Sequence, residues 1–216
     1  MQITIREPGS ALTHFIAMLL AIFAAIPLLV KSGLQGGAYC FLAMCVFMAS
    51  MILLYGASAT YHSVNLSGEA LQIFKKLDHM MIFVLIAGSY TPVCMITLER
   101  SLGYRLLTVI WAIALVGMLF KLFWVNCPKW VSSVLYISMG WVALFAVSPI
   151  YHAMPLSAFL WLLAGGLIYT AGGVIYALKL PIFNARHKNF GSHEIFHLFV
   201  MGGSFCHFIF MYFFVA

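Results

Sequence analysis

The sequence predicts an all-α membrane protein, a bundle of seven transmembrane helices. Three observations predict it. Of 216 residues, 64% are A, V, I, L, M, F, W, Y or C and only 7% are charged, whereas soluble domains carry roughly 25% charged residues. The apolar total is about 138 residues and a spanning helix needs about 20, so the quotient is close to seven. The apolar runs are also continuous rather than alternating with polar residues, which excludes a strand barrel.

Apolar runs bounded by Gly, Pro and charge place the spans at about 11–30, 38–62, 78–98, 103–123, 131–148, 155–178 and 193–215, as a single domain over 1–216. The first is about 20 residues long and lacks the short apolar core and small-residue cleavage site of a signal peptide. The second ends at His62. The third opens at Asp78 and contains Pro92, which, like Pro27 in the first, removes a backbone donor and favours a kink. The fourth is uninterrupted. The fifth is the shortest, because Pro149 and Pro155 bracket a brief turn. The sixth and seventh carry Gly165-Gly166, Gly172-Gly173 and Gly202-Gly203, small residues that let helix backbones approach closely.

Orientation follows from the basic residues. Arg6, Lys75, Lys76, Lys121, Lys129, Lys179, Arg186 and Lys188 fall on the side of the amino terminus, and Lys31, Arg100 and Arg105 on the other. This bias makes the amino terminus cytoplasmic and the carboxyl terminus external. The net charge of +6 is spread through short links and does not form a nucleic-acid surface. Five cysteines, Cys40, Cys45, Cys94, Cys127 and Cys206, are scattered and odd in number, so no disulfide framework is expected.

Ionisable groups inside a membrane are costly and mark function. The topology brings His62, Asp78, His193 and His197 to one membrane depth on the cytoplasmic side. His193 and His197 are four apart and share a helical face. A third histidine, His62, would complete a three-nitrogen set of the kind that holds a catalytic zinc and activates water. Asp78 suits a supporting role, accepting a hydrogen bond from that water or from a ligand imidazole. Ser58, four residues before His62, would donate to the site. Structurally, the same residues could simply be polar helix caps, and a histidine pair alone is weak. His193-Glu194-Ile195-Phe196-His197 also fits H-E-x-x-H, the zinc-protease pattern. His14 reads as a capping residue or else as a support beside the histidine site, His79 as packed against a neighbour, His187 as part of the basic loop, and His152 as part of an outer turn. His207 lies about 15 Å from His197 along its helix, too far to ligate the same ion, and should bond another helix.

Several segments carry a family likeness. Ser58-Ala59-Thr60-Tyr61-His62, Leu77-Asp78-His79 and Ala87-Gly88-Ser89-Tyr90-Thr91-Pro92 resemble the hemolysin III family. So do Phe120-Lys121-Leu122-Phe123, Met139-Gly140-Trp141, Ala164-Gly165-Gly166-Leu167-Ile168-Tyr169, the His193–Val200 segment and Ser204-Phe205-Cys206-His207-Phe208. That family is the bacterial branch of the progestin and adipoQ receptors, related to alkaline ceramidases. The resemblance implies zinc held by His62, His193 and His197, with Asp78 and Ser58 in support. It implies a bacterial plasma (inner) membrane protein whose substrate or ligand is a membrane lipid, with neither a nucleic acid nor a soluble hormone as partner. The expected function is a zinc-dependent hydrolase of lipid amides or esters in membrane-lipid homeostasis. The alternatives are a non-catalytic sensor with structural zinc, a pore-forming cytolytic protein, and an intramembrane metalloprotease.

Overall fold

A computed structural model describes residues 5–178 and 191–216. Lys179, Arg186, His187 and Lys188, assigned above to a basic link, lie outside the described residues. Within them the chain is helical, and seven helices are long and apolar enough to cross a membrane.

Helix α1, Pro8–Gln35, begins on a proline, whose missing N–H is no loss in a first turn. Helix α2, Gly37–Ser63, follows after one linking residue. So tight a reversal needs a positive φ, and Gly37 supplies it at 72°, a conformation costly for residues with a Cβ. Gly68, with φ of 62°, likewise turns the chain into α3, Gly68–Pro92.

Helix α3 therefore starts ten residues before the expected 78, and Asp78 sits in its third turn. Glu69, Lys75 and Lys76 make residues 68–77 read as a link, but Glu69 in the first turn favours the helix dipole. Lys75 and Lys76 are helical residues and not part of a connection. Pro92 is followed by a single π-helical turn, Val93–Thr97, the widening expected where a proline removes a ladder donor.

Helix α4, Arg100–Phe123, is capped by the Glu99 carboxylate, which accepts from the backbone N–H groups of Ser101 and Leu102 at 2.9 and 3.1 Å. Lys121 was assigned to the link after this helix; it lies inside the helix and is fully buried. Its ammonium donates to Ser132 Oγ at 2.6 Å and lies 3.1 Å from Cys127 Sγ. Lys121 therefore ties α4 to the next helix and does not report orientation as a loop charge does.

Helix α5 crosses as Lys129–His152, in three parts: α-helical Lys129–Gly140, a 3-10 stretch Trp141–Ala146, and α-helical Val147–His152. Pro149 is inside this helix and not at its end, which corrects the short fifth span. The Tyr90 hydroxyl explains how the ladder tolerates the change of pitch. It donates to Gly140 O at 2.6 Å and accepts from Ala143 N at 2.8 Å, supplying partners to backbone groups at the start of the 3-10 stretch.

Helix α6 is Leu156–Leu178, and α7 is Ser192–Phe210, continued by a π-helical stretch, Met211–Val215. The expected close approach is present. A Cβ on Gly165 would collide with the His207 ring, and one on Gly203 would meet the Tyr169 ring. Ser204 then receives the Tyr55 hydroxyl at 2.7 Å and pairs with that of Tyr169 at 2.8 Å, tying α2, α6 and α7 together. Phe47, Met48, Phe83, Ile110 and Phe210 fill the centre, while Phe23, Val116 and Phe145 point outward. Apolar side chains on the outside and buried serines, histidines and a lysine within are what a lipid solvent selects. All five cysteines are free.

Candidate metal centre

The last turn of α2 and the first turns of α7 meet at one end of the bundle. His62 and His197 are almost fully buried there, each 1% exposed. His62, His193 and His197 each present a ring nitrogen, and these atoms lie within 4.8 Å of one another. The i, i+4 spacing puts His193 and His197 on one face of α7, and α2 supplies the third ring from across the interface.

The hydrogen bonds decide which nitrogen of each ring is available. His62 Nδ1 donates to the Glu7 carboxylate. The Thr13 hydroxyl gives its proton to Ser10 O at 2.9 Å, so its oxygen accepts from His197 Nδ1 at 3.1 Å. With both Nδ1 atoms donating, Nε2 of His62 and of His197 is a bare lone pair, the tautomer a metal ligand needs. His193 Nε2 stands 3.2 Å from His62 Nε2. Two nitrogens on a tetrahedral zinc, each about 2.0–2.1 Å from it, stand roughly 3.3 Å apart. The three-histidine donor set, and the spacing of this pair within it, therefore fit a divalent ion such as zinc.

Helix α1 supplies the outer layer. Glu7 orients His62 by its side chain and also donates its backbone N–H to His62 O at 3.0 Å. The hydrogen bond from His62, with help from the Arg6 charge, holds the Glu7 carboxyl below its usual range despite half-burial. Ser10 donates to Glu194 Oε1 at 2.5 Å, while Glu194 Oε2 accepts from Gly191 N at 2.8 Å. Glu194 thus caps α7 through Oε2 and is held by α1 through Oε1, so in the H-E-x-x-H pattern both carboxylate oxygens are hydrogen-bonded. His14, expected as a cap, is buried within α1. Its ring stacks on that of His197, with centroids 3.6 Å apart and planes within 7°.

Asp78 and Ser58 are buried and line a largely apolar cavity of about 220 Å³ together with His14, His79, His193 and His197. Asp78 Oδ2 is 3.8 Å from His79 Nδ1. Among the described residues His62 takes Glu7 and His197 takes Thr13 as partner, so contacts to these two imidazoles come from the amino-terminal end and α1. A signal for this was present: Glu7, Ser10 and His14 stand at i, i+3 and i+7, one stripe of a helix, with Thr13 beside it. Of the other described histidines, His207 meets another helix as expected, whereas His79 and His152 bond carbonyls of their own helices. His207 reaches Leu162 O on α6 at 3.3 Å, His79 bonds Lys75 O at 2.8 Å, and His152 ends α5 bonded to Ser148 O at 2.8 Å.

Comparison with known proteins places the chain in a family. The family model described as Haemolysin-III related matches residues 2–208. The chain is 39% identical over 199 residues to Hemolysin-3 of Bacillus cereus, covering 92% of this chain and 87% of that protein. It is 37% identical over 202 residues to the Hemolysin-3 homolog of Bacillus subtilis (strain 168), covering 93% and 91%. More distantly, it is 24% identical over 221 residues to the adiponectin receptor protein of Drosophila melanogaster, of which it spans 49%. A match over nearly the whole chain, joined to seven apolar helices, makes this a multi-pass membrane protein that belongs to the haemolysin-III-related family.

Proposed function

We propose that this protein is a zinc-dependent hydrolase of lipid amides or esters, serving membrane-lipid homeostasis in a bacterial plasma (inner) membrane. One observation carries the reading: the cavity that accepts apolar matter also borders His193, His197, Asp78 and Ser58. An acyl chain lying in it would present its polar end, with the scissile bond, to the histidine triad. His62, His193 and His197 would hold the metal. Bound there, zinc would supply Lewis acidity and make water a usable nucleophile near neutral pH. Glu7 and Thr13 keep two of the rings in the ligating tautomer. Asp78 accepts a proton from the attacking water and returns it to the leaving amine or alcohol, while Ser58 donates to the substrate's polar end. The apolar cavity wall excludes bulk water from the reacting bond.

Turnover of ceramides, N-acyl amides and glycerol esters by purified, zinc-loaded protein tests the reading. Asp78→Asn should keep its metal and lose turnover, and His197→Ala should lose both. Failure of the loaded protein to turn over any lipid class would contradict it.

A second reading is favoured by the way the triad joins α2 to α7 while Glu7 ties the start of α1 to α2 and Ser10 and Thr13 tie α1 to α7. Metal there would be a staple in a non-catalytic sensor of membrane state, and Asp78→Asn would leave the cellular phenotype intact. The relatives' names raise a third reading, lysis, which leakage of dye from liposomes at low protein-to-lipid ratio would reveal.

A further inference from the structure

We infer that a seat for a phosphate group stands beside the histidine triad, formed by Lys129, Arg6 and the amino end of α5, and that the lipid taken by the cavity carries a phosphate headgroup. This rests on the reading of the cavity as a lipid site and names the class of lipid it prefers. Two cations flank the triad, and each is held over an aromatic ring. The Lys129 ammonium lies 4.3 Å from the centre of the Tyr176 ring, which lines the cavity and is 5.6 Å from the His193 ring. These two distances cap the separation of ammonium and imidazole at about 10 Å. On the other side, the Arg6 guanidinium lies 4.2 Å from the centre of the Tyr61 ring, and the Tyr61 and His62 rings are 4.7 Å apart. Arg6 therefore stands within about 9 Å of the His62 ring.

Both charges act on one point. The Glu7 carboxyl, drawn down first by its hydrogen bond from His62, is drawn down further by the charges of Arg6 and Lys129. Arg6 Nε is 3.3 Å from Glu7 Oε1, and both cations stay partly exposed. Lys129 is also the first residue of α5, whose first turn holds no acidic residue and whose cap, Pro128, makes no side-chain hydrogen bond. A helix amino end is itself positive, so a lysine there is disfavoured until an anion joins it. Backbone N–H groups and a cation at one helix start are together what an anion site needs. The carboxylates at this end, Glu7, Glu69, Asp78 and Glu194, are outnumbered by the eight basic residues on the same side. A divalent ion at the triad would add to that positive balance.

A cation held over a ring face keeps N–H donors for an anion, and Arg and Lys both bind phosphate oxygens. A neutral acylglycerol leaves the two charges unanswered. In a glycerophospholipid the phosphate is only a few bonds from the acyl ester. With that ester at the triad, the phosphate comes within reach of either cation.

The test is binding rather than turnover, by displacement of a fluorescent fatty acid from zinc-loaded protein in uncharged detergent. The competitors are octadecyl glycerol ether, its 3-phosphate and glycerol 3-phosphate, none of which has an ester or amide to cleave. The expected result is that the ether phosphate displaces the probe at about tenfold lower concentration than the plain ether, the worth of one hydrogen bond to a charged group. That ratio should persist in Arg105→Gln, which removes a cation from the opposite end, and fall to about one in the double variant Arg6→Gln, Lys129→Gln. The plain ether should bind all three proteins alike. Equal displacement by the two ethers on wild type, or a ratio that survives the double variant, overturns the inference and leaves the lipid reading standing. Displacement by glycerol 3-phosphate as effective as by the ether phosphate overturns the assignment to a lipid headgroup, the ligand then being a soluble phosphate. No displacement by either ether removes the lipid reading as well. Should the double variant fail to fold, wild type in about 1 M salt replaces it, where screening should shrink the ratio and an unmoved ratio overturns the inference.

Discussion

Glu7 holds the Nδ1–H of His62 from 55 residues away in the chain, so the residue just before the first helix orients a ring on the last turn of the second. A carboxylate behind a ligand imidazole fixes its tautomer and raises its basicity. Glu7→Gln should therefore weaken zinc affinity by about 10-fold to 100-fold, the usual effect of removing such a partner. Competition against a chelating dye reads this directly, and unchanged affinity would show that Glu7 does not support the site.

Tyr90→Phe removes one oxygen that serves both Gly140 O and Ala143 N. Two part-buried backbone groups then lose this partner, each at a cost of up to about 1 kcal/mol. The expected outcome is a lower thermal midpoint in detergent, with faster amide exchange confined to the 3-10 stretch 141–146.

Lys121 is a buried cation whose hydrogen-bond partners, Ser132 and Cys127, sit on or just before the neighbouring helix. Lys121→Ala should cost about 3 kcal/mol or more, combining a cavity with lost hydrogen bonds to a charged group. Lys121→Met, which keeps the volume and drops the charge, should lose much less. Thermal unfolding of the two variants side by side separates packing from hydrogen bonding.

Glu99 sets a pH dependence at the opposite end of the bundle. The backbone N–H of Ser101, then that of Leu102, holds its carboxyl below the usual range. A carboxyl with a lowered folded pKa contributes stability above its unfolded pKa, and the contribution is lost as pH falls through the folded value. Glu99→Gln should therefore be less stable than wild type at pH 7, with the difference shrinking toward pH 3. A difference independent of pH would mean that the cap does not act through its charge.

Much of the fold was legible because a lipid solvent writes it in composition: seven long apolar runs gave seven helices, within a few residues at most ends. The errors share a cause. Residues 68–77 and Lys121 were read as links because they carry charge, yet Glu69 suits a helix start and Lys121 finds partners inside the bundle. Pro149 was read as a turn because a proline breaks an ordinary helix, and nothing near it in sequence announces that Tyr90 serves the altered ladder. At the site, His62, His193 and His197 were legible from spacing and topology. Glu7 and Thr13 left a weaker signal, a polar stripe at the start of α1, because which rings they serve depends on how α1 packs against α2 and α7.

The central claim is that the three histidines hold one metal ion that serves chemistry at Asp78. Elemental analysis of protein purified without added metal, comparing wild type, His193→Ala and Asp78→Asn, tests it most directly. The account expects about one zinc per chain in wild type and in Asp78→Asn, and almost none in His193→Ala. Equal metal content in wild type and His193→Ala, or none in wild type even after zinc loading, would contradict it.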